Sequence, residues 1–203
     1  MKIKILFILF FLFRCGDLHA QSLDLKILER LNGPPQAGQD KVWRSVSNNA
    51  VYIEAAAPLT MFVTGIVKHD ENLKIKAYEA GISLIGAEGA AYVLKKIVKR
   101  DRPFVSYPDI IIPKVDESDY SFPSGHTALA FSMATSLSLS FPKWYVIVPS
   151  FVYAGTVSYS RLYLGVHYPS DILGGAAVGI ASSYLTFKTQ KWLSSKKHHL
   201  KTQ

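Results

Sequence analysis

Three short segments of this 203-residue chain carry side chains able to act on a phosphate ester. Lys95 is followed after six residues by Arg102-Pro103. Pro123-Ser124-Gly125-His126 comes next. Ser160-Arg161 is last, with five residues to His167 and three more to Asp171. Lysine supplies a point charge, and arginine a planar fork matched to phosphate oxygens. Ser124 suits a helix cap, Gly125 lets backbone N–H groups approach an anion, and a helix N-terminus favours one. His126 would sit at the rim of such a site. Asp171, four residues after His167, can accept its ring N–H, which fixes the tautomer and leaves the other nitrogen free to attack. That set can hold a phosphate dianion and attack its phosphorus without a metal. The other histidines (19, 69, 198 and 199) have no ligand spacing with carboxylates or cysteines, so no metal site and no cofactor are expected.

The elements that must position these residues are helical. Apolar stretches run over Asn49–Val67, Ala77–Val98, His126–Phe141, Tyr145–Ser158 and Ile172–Phe187. All are dense in Ala, Gly, Ser and Thr, which lets helices approach closely within a bilayer. Two of the five are shorter than a full span. The spacing places Lys95 and Arg102 nearly two turns apart on one helix side, with Pro103 ending that helix. Four prolines between Pro103 and Pro123 predict an extended loop. Pro169 suits the first turn of the last helix. Glu54, Glu79 and Glu88 fall within the apolar stretches and are expected at helix ends or in inter-helix pairs. Glu88, seven residues before Lys95, shares its helix face and is a candidate to position that lysine.

Composition lies between that of a soluble enzyme and that of a transporter made of clean membrane spans. Hydrophobic residues make up 49%, charged residues 19%, and mean hydropathy is +0.15. The formal charge of +8 attracts anions, but no arginine-rich arm with interleaved aromatics appears, so nucleic acid is set aside. Met1-Lys2-Ile3-Lys4, the apolar run Ile5–Phe13 and Leu18-His19-Ala20 read as an export signal cut before Gln21, or else as an uncleaved anchor. The run is too short to cross the roughly 30 Å hydrocarbon core. Cys15 is the sole cysteine and would leave with the leader, which fits an oxidising compartment. Residues 22–31 read as an amphipathic helix, either in the membrane surface or packed on the bundle. Asn32-Gly33-Pro34-Pro35 ends it.

The expected fold is therefore all-α: a membrane-embedded bundle of about five core helices, preceded by a signal or anchor and a short amphipathic helix. Its segments are 1–20 (signal or anchor), 21–48 (amphipathic segment), 49–187 (core) and 188–203 (basic tail). Counting helices from an exported Gln21 puts all three motifs on the outer face and the lysine-rich tail inside, as the positive-inside rule prefers. The cluster Lys95, Lys96, Lys99, Arg100 and Arg102 runs against that rule.

Singly, each motif also describes an ordinary helix end. In order and on one side of a bundle, the three resemble the signature of the type 2 phosphatidic acid phosphatases. Their wider superfamily includes bacterial acid phosphatases and vanadium haloperoxidases. The resemblance covers about Asn49 to Phe187, with no departure at the motif positions. It implies that His167 attacks phosphorus to form a phosphohistidine and that Asp171 orients and stabilises it. His126 would protonate the departing oxygen and then help activate water. Lys95, Arg102, Arg161, Ser124 and the Gly125 amide would hold the equatorial oxygens. The expected substrate is a phosphorylated lipid (phosphatidylglycerol phosphate, an isoprenyl pyrophosphate or a lipid A phosphate all fit) in the inner membrane of a bacterium, with the site facing the periplasm. Competing readings are a soluble exported acid phosphatase, a vanadate-dependent haloperoxidase and an inactive membrane partner. The residues do not indicate an oligomeric state.

Overall fold

A computed structural model describes residues 23–201, with side chains to residue 196. The leader reading, with Cys15 and the cut at Ala20, lies outside the described residues, as do the side chains at the end of the basic tail. Helix α1 spans residues 23–32. It is followed by α2 (Ala37–Val67), α3 (Glu71–Val98), α4 (Pro103–Ser106), α5 (Gly125–Ser140), α6 (Trp144–Tyr163) and α7 (Pro169–Lys201). No strand occurs among the described residues. The five long helices contain the five apolar stretches. Helix α2 starts at Ala37, well ahead of the apolar stretch, and buries Asp40 and Ser47 before reaching it. Of the described helices, α2 alone is long and apolar enough to cross a membrane by length and composition.

Helix α5 occupies the centre, and small side chains let it do so. Ala128, Ala130, Ser132, Met133, Ala134 and Ser136 are all buried. Ala130 and Ala134 pack with Ala50 of α2 and with Ala154 and Val157 of α6. Ala128 packs with Ala87 and Ala91 of α3 and with Val178 of α7. On α7, Gly175 and Gly179 face the α5 backbone so closely that a Cβ at Gly175 would stand 2.5 Å from the Ser124 carbonyl oxygen. Hydroxyls fasten the same contact. Ser132 and Ser136 each meet the Ser183 Oγ at 3.0 Å, and Ser183 donates to the Ser132 carbonyl at 2.7 Å. Such pairs hold helices together where apolar surface alone gives no preference.

The connections depart from the sequence reading in two places. Helix α3 does not reach Arg102. Lys99 takes a left-handed conformation (φ 52°) and returns its N–H to the Lys95 carbonyl, ending the helix at Val98. Pro103 holds Arg102 extended, so Arg102 is the N-cap of α4 rather than a residue two turns along from Lys95. The loop expected to be wholly extended begins with the single turn of α4, since proline is tolerated at a helix's first position.

The remainder of that loop is pinned by buried groups. Leu28 of α1, Ile111 and Tyr168 form one apolar cluster, which settles α1 as packed on the bundle. Asn32 closes the same corner, donating to the Ile112 and Tyr163 carbonyls at 3.0 Å and accepting the Ile112 N–H at 2.8 Å. Lys114 is buried beside it. Its Nζ donates to the Asn32 carbonyl at 2.6 Å, pairs with Asp40 at 3.3 Å and lies over the Tyr163 ring. The loop is thereby a fixed wall over one end of the bundle.

Candidate active site

At that end a cavity of about 200 Å³ opens. Its walls include Lys95, Arg102, Glu117, Asp119, Gly125, His126, Arg161 and His167, with Val51, Glu88 and Leu129 toward the bundle interior. Each cation arrives by a different route. Lys95 comes from the last turn of α3, Arg161 from the last turn of α6, and Arg102 from the loop between α3 and α4. The start of α5 supplies Gly125 and His126. Residues assigned from all three motifs thus share one cavity. Ser124 does not line it: its buried Oγ accepts the Thr127 N–H at 3.4 Å and its hydroxyl at 3.0 Å, capping α5. Asp171 stands behind His167, fully buried in the first turn of α7.

Every cation in the cavity has a partner from the 117–120 stretch. Lys95 Nζ donates to the Tyr120 carbonyl. Arg102 gives its Nε–H to the Asp119 carbonyl at 2.6 Å and Nη2 to Glu117 Oε2 at 3.1 Å. Arg161 pairs with Glu117 Oε1 and with the Ser47 hydroxyl, while its Nε has no partner. The Glu117 carboxylate therefore bridges two arginines, much as two phosphate oxygens would. Burial opposes the charge on Glu117, but Arg161 and Arg102 outweigh it and hold the carboxyl below its ordinary range. The acidic run Asp116-Glu117-Ser118-Asp119 between the first two motifs was the available signal for this residue, and spacing arguments passed it by.

His167 is 2% exposed. Burial, and then the charges of Arg161, Arg102 and Lys95, push its imidazole well below the ordinary value, so it is neutral at neutral pH. Its Nε2 lies 3.4 Å from Arg102 Nη1, on the cavity side. Its Nδ1 lies 3.5 Å from Asp171 Oδ2 and is buried without a hydrogen-bond partner. The expected His–Asp bond is thus an approach that a small rotation would close. Those surroundings assign the proton to Nδ1 and the lone pair to Nε2.

Two expectations about acidic residues need correction. Glu88 makes no ion pair with Lys95, because the Lys95 ammonium turns to the 120 carbonyl instead. Glu54 does not join an inter-helix pair: both its oxygens are buried and unpartnered. It lines a second, apolar cavity of about 620 Å³ between α2 and α3, together with Val51, Leu59, Phe62, Ile82, Ile85, Glu88 and Leu129. Val51, Glu88 and Leu129 belong to both cavities, so the cationic cup and the apolar groove share a wall. The basic cluster that opposes the positive-inside rule is largely neutralised. Lys96 pairs with Asp119, Arg100 with Asp24 and Asp171, and Arg102 with Glu117. No cluster of three or more metal-ligating side chains occurs among the described residues.

A family model described as the PAP2 superfamily matches residues 76–195. An undecaprenyl-diphosphatase of Sulfolobus acidocaldarius is 36% identical over 109 residues, covering 54% of this chain and 50% of that protein. A bacitracin transport permease protein BcrC of Bacillus licheniformis is 30% identical over 156 residues, 74% of this chain and 75% of that one. The match thus spans half the length of the first relative and three quarters of the second. Among solved structures, the transmembrane PAP2 type phosphatidylglycerolphosphate phosphatase of Bacillus subtilis superposes with a TM-score of 0.70 at 25% identity, covering 92% of this chain and 95% of that one. LpxE of Aquifex aeolicus gives 0.66 at 26% identity, covering 82% and 95%.

Proposed function

Because the chain belongs to the PAP2 superfamily, we propose that it is a membrane-embedded, metal-independent phosphatase acting on a phosphorylated lipid. The observation that carries this reading is the wall shared by the cationic cavity and the apolar groove. A phosphate on a hydrocarbon anchor suits both, whereas a small soluble ester would use only the first. Exposed Val51, Ile53, Leu59, Ile82, Ile85 and Val152 support a lipid-facing surface on α2, α3 and α6.

The proposed reaction has two steps. The phosphate takes over the arginine forks that Glu117 now occupies. His167 Nε2 forms a bond to phosphorus as the bond from phosphorus to the lipid oxygen breaks, and His126, made cationic by a proton taken up with the bound phosphate anion, gives that oxygen its proton and becomes neutral. Asp171 stabilises the positive charge left on the His167 ring. Water then adds to phosphorus, its proton passing to His126, and the nitrogen–phosphorus bond breaks to release phosphate. Lys95, Arg102, Arg161 and the Gly125 amide stabilise charge on the equatorial oxygens throughout. From helix counting we infer a site on the periplasmic face of an inner membrane. Labelling a single cysteine at Lys96, in a Cys15→Ser background, with an impermeant thiol reagent on intact cells tests that orientation.

The activity is tested by phosphate release from detergent-purified protein over lipid monophosphates and diphosphates, with p-nitrophenyl phosphate as the soluble control. A preference for lipids, abolished in His167→Ala while the helical content stays, is expected. Equal rates on lipid and soluble esters would reject the lipid reading. Unchanged turnover in His167→Ala would reject the nucleophile.

A further inference from the structure

The carboxylate behind the nucleophile is held by a residue from the spacer of the first motif, between Lys95 and Arg102, that has no role in the reaction described above. Asp171 Oδ1 accepts Arg100 Nη1 at 2.7 Å, and Oδ2 accepts the Tyr168 N–H at 2.8 Å. Arg100 does not line the phosphate cavity. Its guanidinium lies 3.9 Å from the centre of the Tyr168 ring, and its Nη2 reaches Asp24 Oδ2 at 2.9 Å. Asp24 belongs to α1, outside the residues that match the family model. Asp24 also accepts the Ser170 N–H at 3.0 Å and the Ser170 hydroxyl, whose Oγ in turn accepts Arg100 Nη1 at 2.6 Å. Asp24, Arg100 and Ser170 form one closed network around Asp171.

We propose that Arg100, anchored by Asp24, is a positioning residue that sets the Asp171 carboxylate for His167, and that α1 is thereby a working part of the active site. The inference rests on the reading of His167 as nucleophile. A fully buried carboxylate needs a compensating charge, and Arg100 supplies it. Arg100 claims Oδ1 and so leaves Oδ2 turned toward Nδ1 across 3.5 Å. As Nε2 takes the phosphoryl group, the ring becomes cationic and Nδ1–H draws on Oδ2. Without Arg100 the carboxylate is free to rotate away or to take up a proton. Either change removes the anion where positive charge develops, while Lys95, Arg102 and Arg161 still grip the phosphate. The loss should therefore fall on kcat rather than on binding.

The test compares Arg100→Ala, Arg100→Lys, Asp24→Asn and the Asp24→Asn/Arg100→Ala double variant as full-length purified proteins, using the lipid phosphate that the wild type turns over best. Arg100→Ala should lower kcat by roughly ten- to hundredfold, the scale on which outer partners of a reacting histidine act. KM and inhibition by inorganic phosphate, which binds without a bond to His167, should stay unchanged. Arg100→Lys should recover part of the rate. Added guanidinium should do the same for Arg100→Ala, because the Arg100 side chain is 22% exposed and its site can be reached. Asp24→Asn should lower kcat less, and add nothing in the Arg100→Ala background. An unchanged kcat in Arg100→Ala overturns the inference. So does a joint loss of kcat, inorganic phosphate affinity and thermal stability that neither lysine nor guanidinium restores, since that marks a scaffold residue. A wild type inactive on every lipid phosphate, or an active His167→Ala, would instead reject the phosphatase reading itself.

Discussion

The lipid reading makes a sharp demand on Gly81. This glycine lines the apolar groove in the middle of α3, and a Cβ built there meets nothing within 4 Å. Leucine at 81 should therefore enter the groove without disturbing the fold. It should also favour the helix by about 0.8 kcal/mol relative to glycine. A substrate chain entering from a bilayer exchanges one hydrocarbon environment for another, so no large transfer energy is at stake. What the leucine introduces is overlap with that chain. Overpacking of this kind costs about 1–3 kcal/mol, or roughly five- to hundred-and-fifty-fold in kcat/KM at about 1.4 kcal/mol per decade. The assay is kcat/KM of Gly81→Leu on a long-chain lipid phosphate and on p-nitrophenyl phosphate, with Gly155→Leu as control, because Gly155 on α6 has equal space but lies off the groove. The lipid value should fall and the soluble value should hold. Equal values for Gly81→Leu and the wild type on the lipid would show that no chain lies there. An equal fall on both substrates would show that the substitution acts through the cationic cavity instead.

Glu117→Gln should tighten inhibition by orthovanadate roughly tenfold, about 1.4 kcal/mol, near the lower bound for a charge-assisted hydrogen bond. Weaker inhibition in that variant would mean that the carboxylate helps to hold the anion rather than competing with it. The acid limb of kcat/KM should lie below the ordinary histidine value of 6.5, since the proposed nucleophile is the neutral form of His167 and its folded value is lowered. A limb at or above that value would refute the burial argument. The same shift has a stability consequence. Below 6.5 the unfolded histidine binds a proton that the folded one refuses, so stability falls as pH drops, by up to about 1.4 kcal/mol per unit for this one site. His167→Gln should flatten that slope in thermal unfolding. Gly179→Ala should lower the unfolding midpoint by about 1–3 kcal/mol in stability, because its Cβ would meet the Ala128 carbonyl and lie 2.8 Å from the Ser132 nitrogen. An unchanged midpoint would mean that α5 and α7 separate more easily than their close contact implies.

What was legible in the sequence was local. Apolar stretches broken by polar turns gave the five long helices, and Ser124 and Pro169 marked helix starts whose chemistry needs only near neighbours. Gly165, which no motif singled out, has φ 74° and no room for a Cβ against Asn32 and the Ile112 carbonyl. The motif residues were legible because each sits at or near a helix end. Contacts decided by distant partners stayed hidden. The left-handed turn at Lys99 broke the helix that was to carry Arg102. Nothing near Lys114 in the sequence marked it, and its pairing with Asp40 and Asn32 puts it inside. Arg100 read as part of a basic cluster, and nothing in its surroundings announced a partner in α1.

The hidden contacts share one cause, which is the charge of the site itself. Arg102 and Arg161 are almost wholly buried at the end of an apolar bundle, and Lys95 nearly so. Such cations cannot persist there unpaired, because an isolated buried charge costs far more than a fold of this size has to spare. Before any substrate arrives, their partners must come from the chain. The 117–120 stretch provides them as one carboxylate and two carbonyls, and the pinned loop keeps those acceptors in reach. The loop is therefore wall and counter-charge together. On the proposed reading its acceptors occupy the donors that a phosphate would need, so substrate entry is an exchange of partners rather than the filling of a bare cationic void. The same logic explains the opposite side of His167. There the buried charge is negative, on Asp171, and the chain answers it with Arg100 and a second carboxylate from α1. Charges alternate outward from the imidazole on both sides, and each neutralises the one before it.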